Sequence, residues 1–411
     1  MGISDHKAIM DGTRFIVAGS FIDGNGGEAR RHVFLAVKDG IITAIGPATD
    51  LPRANGAAIA DFSRCTIVPP LVDGSVSLSR SPAVDRAVRL SFAKADPATK
   101  AALVARHIRY CHAHGVLGVA ENDDISDLLK RLPGEMAPPE IIAIRTPGRL
   151  GRTGEDGATG HPTGGDFLRV VYSGDIEDEE PPSPRLAHED LCRILREKGE
   201  KKAVVVANGR QQVQEALAAG CDAIEQGYGM GADNIREMAA REVLWIPGVL
   251  RAKNGLDGAA SGGEVCCRFS QRYVAPGQAA PGVEAFWKKM LADQLRQLRL
   301  ARQLGVTAAV GTGAGSAGIL HGEAMVEEMK LFIKAGYSRT ETIRCASVNN
   351  ADFFGMANLG TLTVGRKATF LIARGGVEQL PRKLAYLEGI YVDGAPSPAY
   401  RKHPGGTGEV V

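Results

Sequence analysis

The sequence predicts an α/β chain, a distorted TIM (β/α)8 barrel joined to a small β-sandwich that both ends of the chain build together. Three observations predict it. Short apolar runs with turn pairs occupy the first part, runs of β character alternate with helical stretches through the middle, and the first texture returns near the end. The 411 residues, 44% hydrophobic and 23% charged, suffice for one large and one smaller domain.

In chain order, RFIVAGSFI, HVFLAVKDGIITAIG, AAIADF and RCTIVP are strand-like runs separated by turns such as Asp23-Gly24 and Asp39-Gly40, and they read as an antiparallel β domain. The apolar run through Leu71 and Val72 opens a βα series continued by GVLGVAEN, EIIAIRTP, DFLRVVYS, KKAVVVAN, CDAIEQG, VLWIPGVL and VTAAVGTG. Helical runs such as LVARHIRYCHAHG, HEDLCRILREKG, QQVQEALAAG and EAMVEEMKLFIKAG intervene, and this alternation favours a barrel over an open sheet. Pro147 to Gly165 and Arg251 to Gly282 read as long loops over the barrel mouth. LGTLTVG, KATFLIA and AYLEGIYVDG then return to strand texture. The domain expectation is therefore 1–68 and 356–411 for the sandwich and 69–355 for the barrel.

Charge excludes several functions. Lys+Arg 49 against Asp+Glu 47 leaves a formal charge of +2 with no basic stripe, so neither nucleic acid nor an anionic membrane is an expected partner. A small molecule is the expected ligand. The segment MGISDHKAIMDG lacks the apolar core of a signal peptide and no run is long enough to span a bilayer, which gives the expectation of a cytoplasmic protein. Seven cysteines without CxxC spacing read as reduced thiols.

Several motifs have plain structural readings. His112 and His114 lie two apart on one helical run, so they face different ways and read as surface or helix-end residues. Gly313, Gly315 and Gly318 match G-x-G-x-x-G, yet a helix rather than an acid-tipped strand follows, against a dinucleotide site. Asp178-Glu179-Glu180 reads as a solvated loop, Cys266-Cys267 as ordinary thiols, and Trp245 and Trp287 as packing residues.

The segments FIDGNGGEARRHVFLAVKDGIITAIGP, CTIVPPLVDGSVSLS and ALAAGCDAIEQGYGMGADNIREMAAREVLWIPGVL resemble the amidohydrolase superfamily, in its imidazolonepropionase and Xaa-Pro dipeptidase-like branch. VGTGAGSAGILHGEAMVEEMKLFIKAGYS, ASVNNADFFGM and LGTLTVGRKATFLIA extend the resemblance over nearly the whole chain. It implies hydrolysis of amide or cyclic C–N bonds at a site holding one or two divalent metals, zinc among them.

The metal positions that the resemblance implies are all substituted. The His-x-His pair after the first-strand turn is Ser75 and Ser77, following Pro69-Pro70-Leu71-Val72-Asp73, and the bridging lysine is Arg169. The strand-five histidine falls on Val206 in the preferred register, with Asn208 as the second choice; the strand-six histidine is Gln226 and the strand-eight aspartate is Gly313. None is a good zinc ligand. A metal lowers the pKa of water from about 15.7 to about 7, roughly 12 kcal/mol at about 1.4 kcal/mol per unit, which hydroxyls and an amide cannot replace. No metal or other cofactor is expected.

Strand ends should ring the mouth with Ser75, Ser77, Glu121, Arg169, Asn208, Glu225, Gln226 and Tyr228, and His321 should follow the strand-eight loop. The leading expectation is a metal-free pseudoenzyme or small-molecule-binding scaffold, in a homo-oligomer or paired with a related protein. A second is an enzyme with reassigned acid–base chemistry on His321, Glu225 and Arg169. A third is a conventional hydrolase whose metal is held by residues such as His161 or the loop cysteines.

Overall fold

The structure is a computed structural model describing residues 12–52, 58–132, 143–153, 158–174, 185–261 and 282–400, with backbone alone for 149–153, 158–163 and 258–261. The chain opens with strands β1 (Arg14–Phe21), β2 (Arg30–Lys38), β3 (Ile41–Pro47) and β4 (Ile59–Val68). β1 to β3 form an antiparallel meander, and the β2–β3 turn places Asp39 and Gly40 at positive φ, as a tight two-residue hairpin requires. β4 pairs with β1 in parallel, which corrects the purely antiparallel expectation.

Two parallel sheets follow. One contains β5 (Leu71–Val76), β6 (Val116–Glu121) and β7 (Ala143–Arg145); β8 (Arg149–Thr153) and β9 (Ala158–Thr163) form a separate hairpin. The other contains β10 (Leu168–Val171), β11 (Ala203–Ala207), β12 (Ala223–Gln226) and β13 (Leu244–Ile246). Single parallel bridges join Pro147 to Phe167, Trp245 to Ala308 and Val76 to Ala314. The β5–β7 and β10–β13 sheets and the 308–314 segment thus follow one another in a TIM-barrel-like arrangement, and every residue of β5, β6 and β11 is buried, as for a sheet covered on both faces.

The helices are α1 (Arg86–Lys94), α2 (Pro97–Ala113), α3 (Ser126–Leu129), α4 (His188–Arg196), α5 (Arg210–Ala218), α6 (Gly231–Ala240), α7 (Val249–Ser261), α8 (Val283–Gln303), α9 (Glu323–Lys334), α10 (Arg339–Cys345) and α11 (Val348–Phe353). α2 starts where physics favours it: Asp96 accepts from the N–H groups of Ala98 and Thr99, and Pro97 stands at the first helical position. α10 carries a capping box between Ser338 and Glu341. No helix of the described residues is long and apolar enough to cross a membrane.

The chain closes with β14 (Phe370–Arg374), β15 (Leu387–Val392) and β16 (Ala395–Pro396), which join the first strands in one seven-stranded sheet of order β16-β15-β14-β4-β1-β2-β3. Both ends of the chain therefore do build one β region. Among the described residues it is a single mixed sheet rather than two facing sheets. Ile16, Leu35, Ile67, Phe370 and Ile372 pack on one face of it, and Phe15 and Phe34 on the other.

Four local expectations need correction. Pro147–Gly165 is not an irregular loop but contains the β8–β9 hairpin, and the supposed loop after Arg251 is helical through Ser261, the remainder to residue 281 lying outside the described residues. LGTLTVG and VTAAVGTG form no strand of their own, the latter making isolated bridges. His112 is at the end of α2 as expected but is buried at 2% exposure, its Nε2 against Ser397 Oγ at 2.9 Å. Trp245 and Trp287 are packing residues, buried in the main core.

Candidate functional site

The carboxyl ends of the parallel strands surround a cavity of about 250 Å3. Its floor starts at β5. Asp73 accepts from Thr312 N–H (2.9 Å), Thr312 Oγ1 (2.5 Å) and Ser75 N–H (3.2 Å), which ties the first strand to the 308–314 segment. Burial lifts the Asp73 carboxyl to about 7 against the pull of those hydrogen bonds. Gly311 makes this close approach possible, because a Cβ there would lie 2.3 Å from Ile246 Cγ2 and 3.0 Å from Ser75 Cβ.

From this floor Ser75 Oγ donates to Glu225 Oε1 at 2.8 Å. Glu225, at the end of β12, also receives Arg169 Nε on Oε2 (2.8 Å) and Arg169 Nη2 on Oε1 (3.0 Å). The pair is well shielded, with side chains 14% and 7% exposed. Burial opposes the guanidinium charge, but Glu225 more than offsets it and raises the Arg169 pKa. Both carboxylate oxygens are thereby occupied, in the two-pronged geometry that suits Arg and not Lys.

Gln226 follows in the left-handed region, φ 73, a conformation uncommon for a residue with a side chain. Its orientation follows from a chain of donors. Tyr228 N–H must donate, and it does so to Asn208 Oδ1 at 3.0 Å, so Asn208 Nδ2 faces Gln226 Oε1 at 2.6 Å. The Gln226 amide nitrogen is left as a donor on the cavity wall.

The cavity brings together seven of the expected residues. Ser75, Ser77, Arg169, Val206, Gln226 and Gly313 all line it, and so does Glu225. Glu121, Asn208 and Tyr228 stand behind its wall. Glu121 is fully buried, accepts from Leu78 N–H and Asp123 N–H, and is lifted by burial to about 8. Tyr228 Oη donates to Gly248 O at 2.7 Å.

His321 corrects the expectation of a mouth histidine. It is 3% exposed and stacks on His107 with ring centroids 3.6 Å apart, its Nε2 at 3.0 Å from Ser77 O. His107 Nδ1 meets the next carbonyl, Leu78 O, at 2.7 Å. Burial holds both imidazoles toward the neutral form, His107 down to about 4 and His321 well below its ordinary value. The pair braces the chain leaving β5 from behind the cavity.

Other lining residues escaped the sequence reading. Asn122 directly follows β6, so the strand-end rule had the means to find it, as with Thr312 and Ser316 in the glycine-rich run. Arg80 and Arg185 come from connections and Arg251 from the first turn of α7, and no spacing announces them. Arg80 pairs with Asp123 through Nε (2.8 Å) and Nη2 (2.6 Å). Gly313, Gly315 and Gly318 lie in an irregular segment that leads to α9, α10 and α11 with no strand between, unlike a dinucleotide fold. The side chain of His161, the Cys266-Cys267 pair and Asp178-Glu179-Glu180 lie outside the described residues.

A TIM-barrel-like ring with its polar cavity at the strand ends, joined to a sheet drawn from both chain ends, defines the architectural class of the metal-dependent hydrolases that the sequence resembles. The model of the Amidohydrolase family matches residues 185–398, and the chain belongs to that family. In fold it is similar to a Xaa-Pro dipeptidase with bound methionine, at 18% identity over 94% of this chain and 99% of that one, with a TM-score of 0.71. It is likewise similar to A. niger ochratoxinase (16% identity, 93% and 95% covered, TM-score 0.73) and to a molinate hydrolase (15%, 94% and 95%, 0.71). No curated protein matches the chain significantly.

The residues present do not fit the family's metal. Ser75, Ser77 and Gln226 offer neutral oxygen or amide groups, Val206 and Gly313 offer no side-chain ligand, and the Glu225 carboxylate is already filled by Arg169 and Ser75. The guanidinium would also repel a nearby cation, by about 4 kcal/mol per unit charge at about 4 Å and an effective dielectric of about 20. Among the described residues no group of three His, Cys, Asp or Glu side chains is gathered as a metal site.

Proposed function

We propose that this chain is a metal-free amidohydrolase scaffold that binds a small molecule in its strand-end cavity and does not use its family's metal-assisted route of C–N hydrolysis. The Arg169–Glu225–Ser75 network carries the reading. A built-in guanidinium supplies the positive charge, and the carboxylate that a metal would need is engaged with it. Family membership supports descent from enzymes that hydrolyse C–N bonds.

The same reading takes the parallel segments as one distorted (β/α)8 barrel over 69–355, with 1–68 and 356–411 forming the accessory β domain. The single sheet shared by β4, β1 and β14 supports it. It further places the protein in the cytoplasm, assembled with copies of itself or with a related protein.

Elemental analysis of protein produced with zinc and manganese supplied tests the proposal, together with hydrolysis assays on amide and dipeptide libraries. Substoichiometric metal and no turnover are expected. One equivalent of bound metal accompanied by amide hydrolysis overturns it.

A further inference from the structure

Among hydroxyls and amides that both donate and accept, the charged groups on the cavity wall are four guanidinium groups against one carboxylate. Arg169 and Arg80 each commit Nε and one Nη2 hydrogen to a carboxylate, and neither makes a further side-chain hydrogen bond among the described residues. The rest of each fork remains for other acceptors. Gln226 adds its amide N–H groups, since its oxygen is taken by Asn208. Against these, both oxygens of Glu225 are occupied, and Glu225 is the single carboxylate on the described lining. Arg185 and Arg251, which have interactions of their own, add two more guanidinium groups to the same wall.

A neutral ligand leaves the excess of guanidinium groups on such a wall unused. A group that only accepts, and that carries negative charge, matches it well. We infer that the strand-end cavity binds an oxyanion, the carboxylate or phosphate of a small metabolite, through Arg169, Arg80 and Gln226. The inference rests on the metal-free reading and names the class of ligand for that site. Three donor groups come from the chain after β5, from β10 and from β12, so the anion is held from several sides.

Calorimetric titration and thermal unfolding of the full, chelator-treated chain test it, with inorganic phosphate, succinate and neutral glycerol as probes at ionic strength fixed by chloride. At least one of phosphate and succinate should bind and raise the unfolding temperature, and glycerol should do neither. Phosphate alone points to a phosphate ester, succinate alone to a carboxylate. Arg80→Gln, at an exposed side chain, should weaken that binding about tenfold, the loss of one charge-assisted hydrogen bond. The charge-neutral double variant Arg169→Gln/Glu225→Gln should weaken it further. Binding of neither anion, or equal binding by all variants, overturns the inference. Titration and elemental analysis of the chain as purified, beside the chelator-treated sample, separate the two failures: protein that is metal-free as purified and ignores both anions sinks only the oxyanion. Anion binding that vanishes on chelation sinks the metal-free reading.

Discussion

Arg169 and Glu225 lie side by side as an ion pair at the cavity, whereas Glu121, Glu328, His107 and His321, buried elsewhere in the same ring, face backbone groups instead of an opposite charge. Glu328 is fully buried on α9, where its two oxygens accept from Val249 N–H (2.9 Å) and Leu250 N–H (2.6 Å) at the start of α7; burial raises it to about 8. These groups avoid the cost of a buried charge by moving toward their neutral forms. The comparison teaches that buried titratable residues in this fold need no counter-ion when their task is to hold backbone. Among these groups, Arg169 and Glu225 are the two that pair with an opposite partner, and they do so at the cavity.

The most direct way to break this comparison is Arg169→Met, which leaves Glu225 without its partner. A loss of about 3–5 kcal/mol is expected in urea unfolding, and Arg169→Met/Glu225→Met should recover most of it. A double variant as unstable as the single one would show that the pair is not coupled.

Glu328→Ala comes next. It strips two N–H groups at the start of α7 of their acceptors, with an expected loss of roughly 2–4 kcal/mol. Glu328→Gln, which keeps one acceptor and no charge, should lose clearly less. Equal losses in the two variants would mean that the hydrogen bonds to Val249 and Leu250 are not what matters.

The smallest effect is a pH slope. His107 falls from an ordinary 6.5 to about 4 in the folded chain, so the unfolded chain binds the extra proton in that window. Stability should therefore fall as pH drops from 6.5 through about 4, by up to about 1.4 kcal/mol per pH unit for each such proton. His107→Gln should reduce the slope by about one proton in unfolding experiments run across that range. An unchanged slope would show that His107 is not held neutral by burial.

Much of the fold was legible from local pattern. Alternating apolar runs and the Asp39-Gly40 turn announce the first hairpins, and the run LVARHIRYCHAHG announces α2, because strand period, turn chemistry and helical periodicity act over a few residues. The expected loops failed where no local signal decides: the run from Arg251 reads as irregular, yet it lies in a helix whose first N–H groups are capped by Glu328, a residue far along the chain. For the site, the structure gathers Ser75, Ser77, Arg169, Glu225 and Gln226 from the strand ends at one cavity, and sets His321 behind it. A histidine after a glycine-rich loop looks the same in sequence whether it faces the cavity or stacks behind it on His107.

The amino-acid order by itself determined which chemical groups stand at the strand ends: hydroxyls, an amide, a guanidinium, a carboxylate and a glycine. That follows from composition at fixed positions along a regular βα alternation. Only the tertiary structure decided what those groups do to one another. Whether Arg169 meets Glu225, whether Arg80 reaches the same wall and whether His321 is walled off depend on side chains from separate elements meeting within hydrogen-bond reach, and those distances are set by the packing of the whole ring.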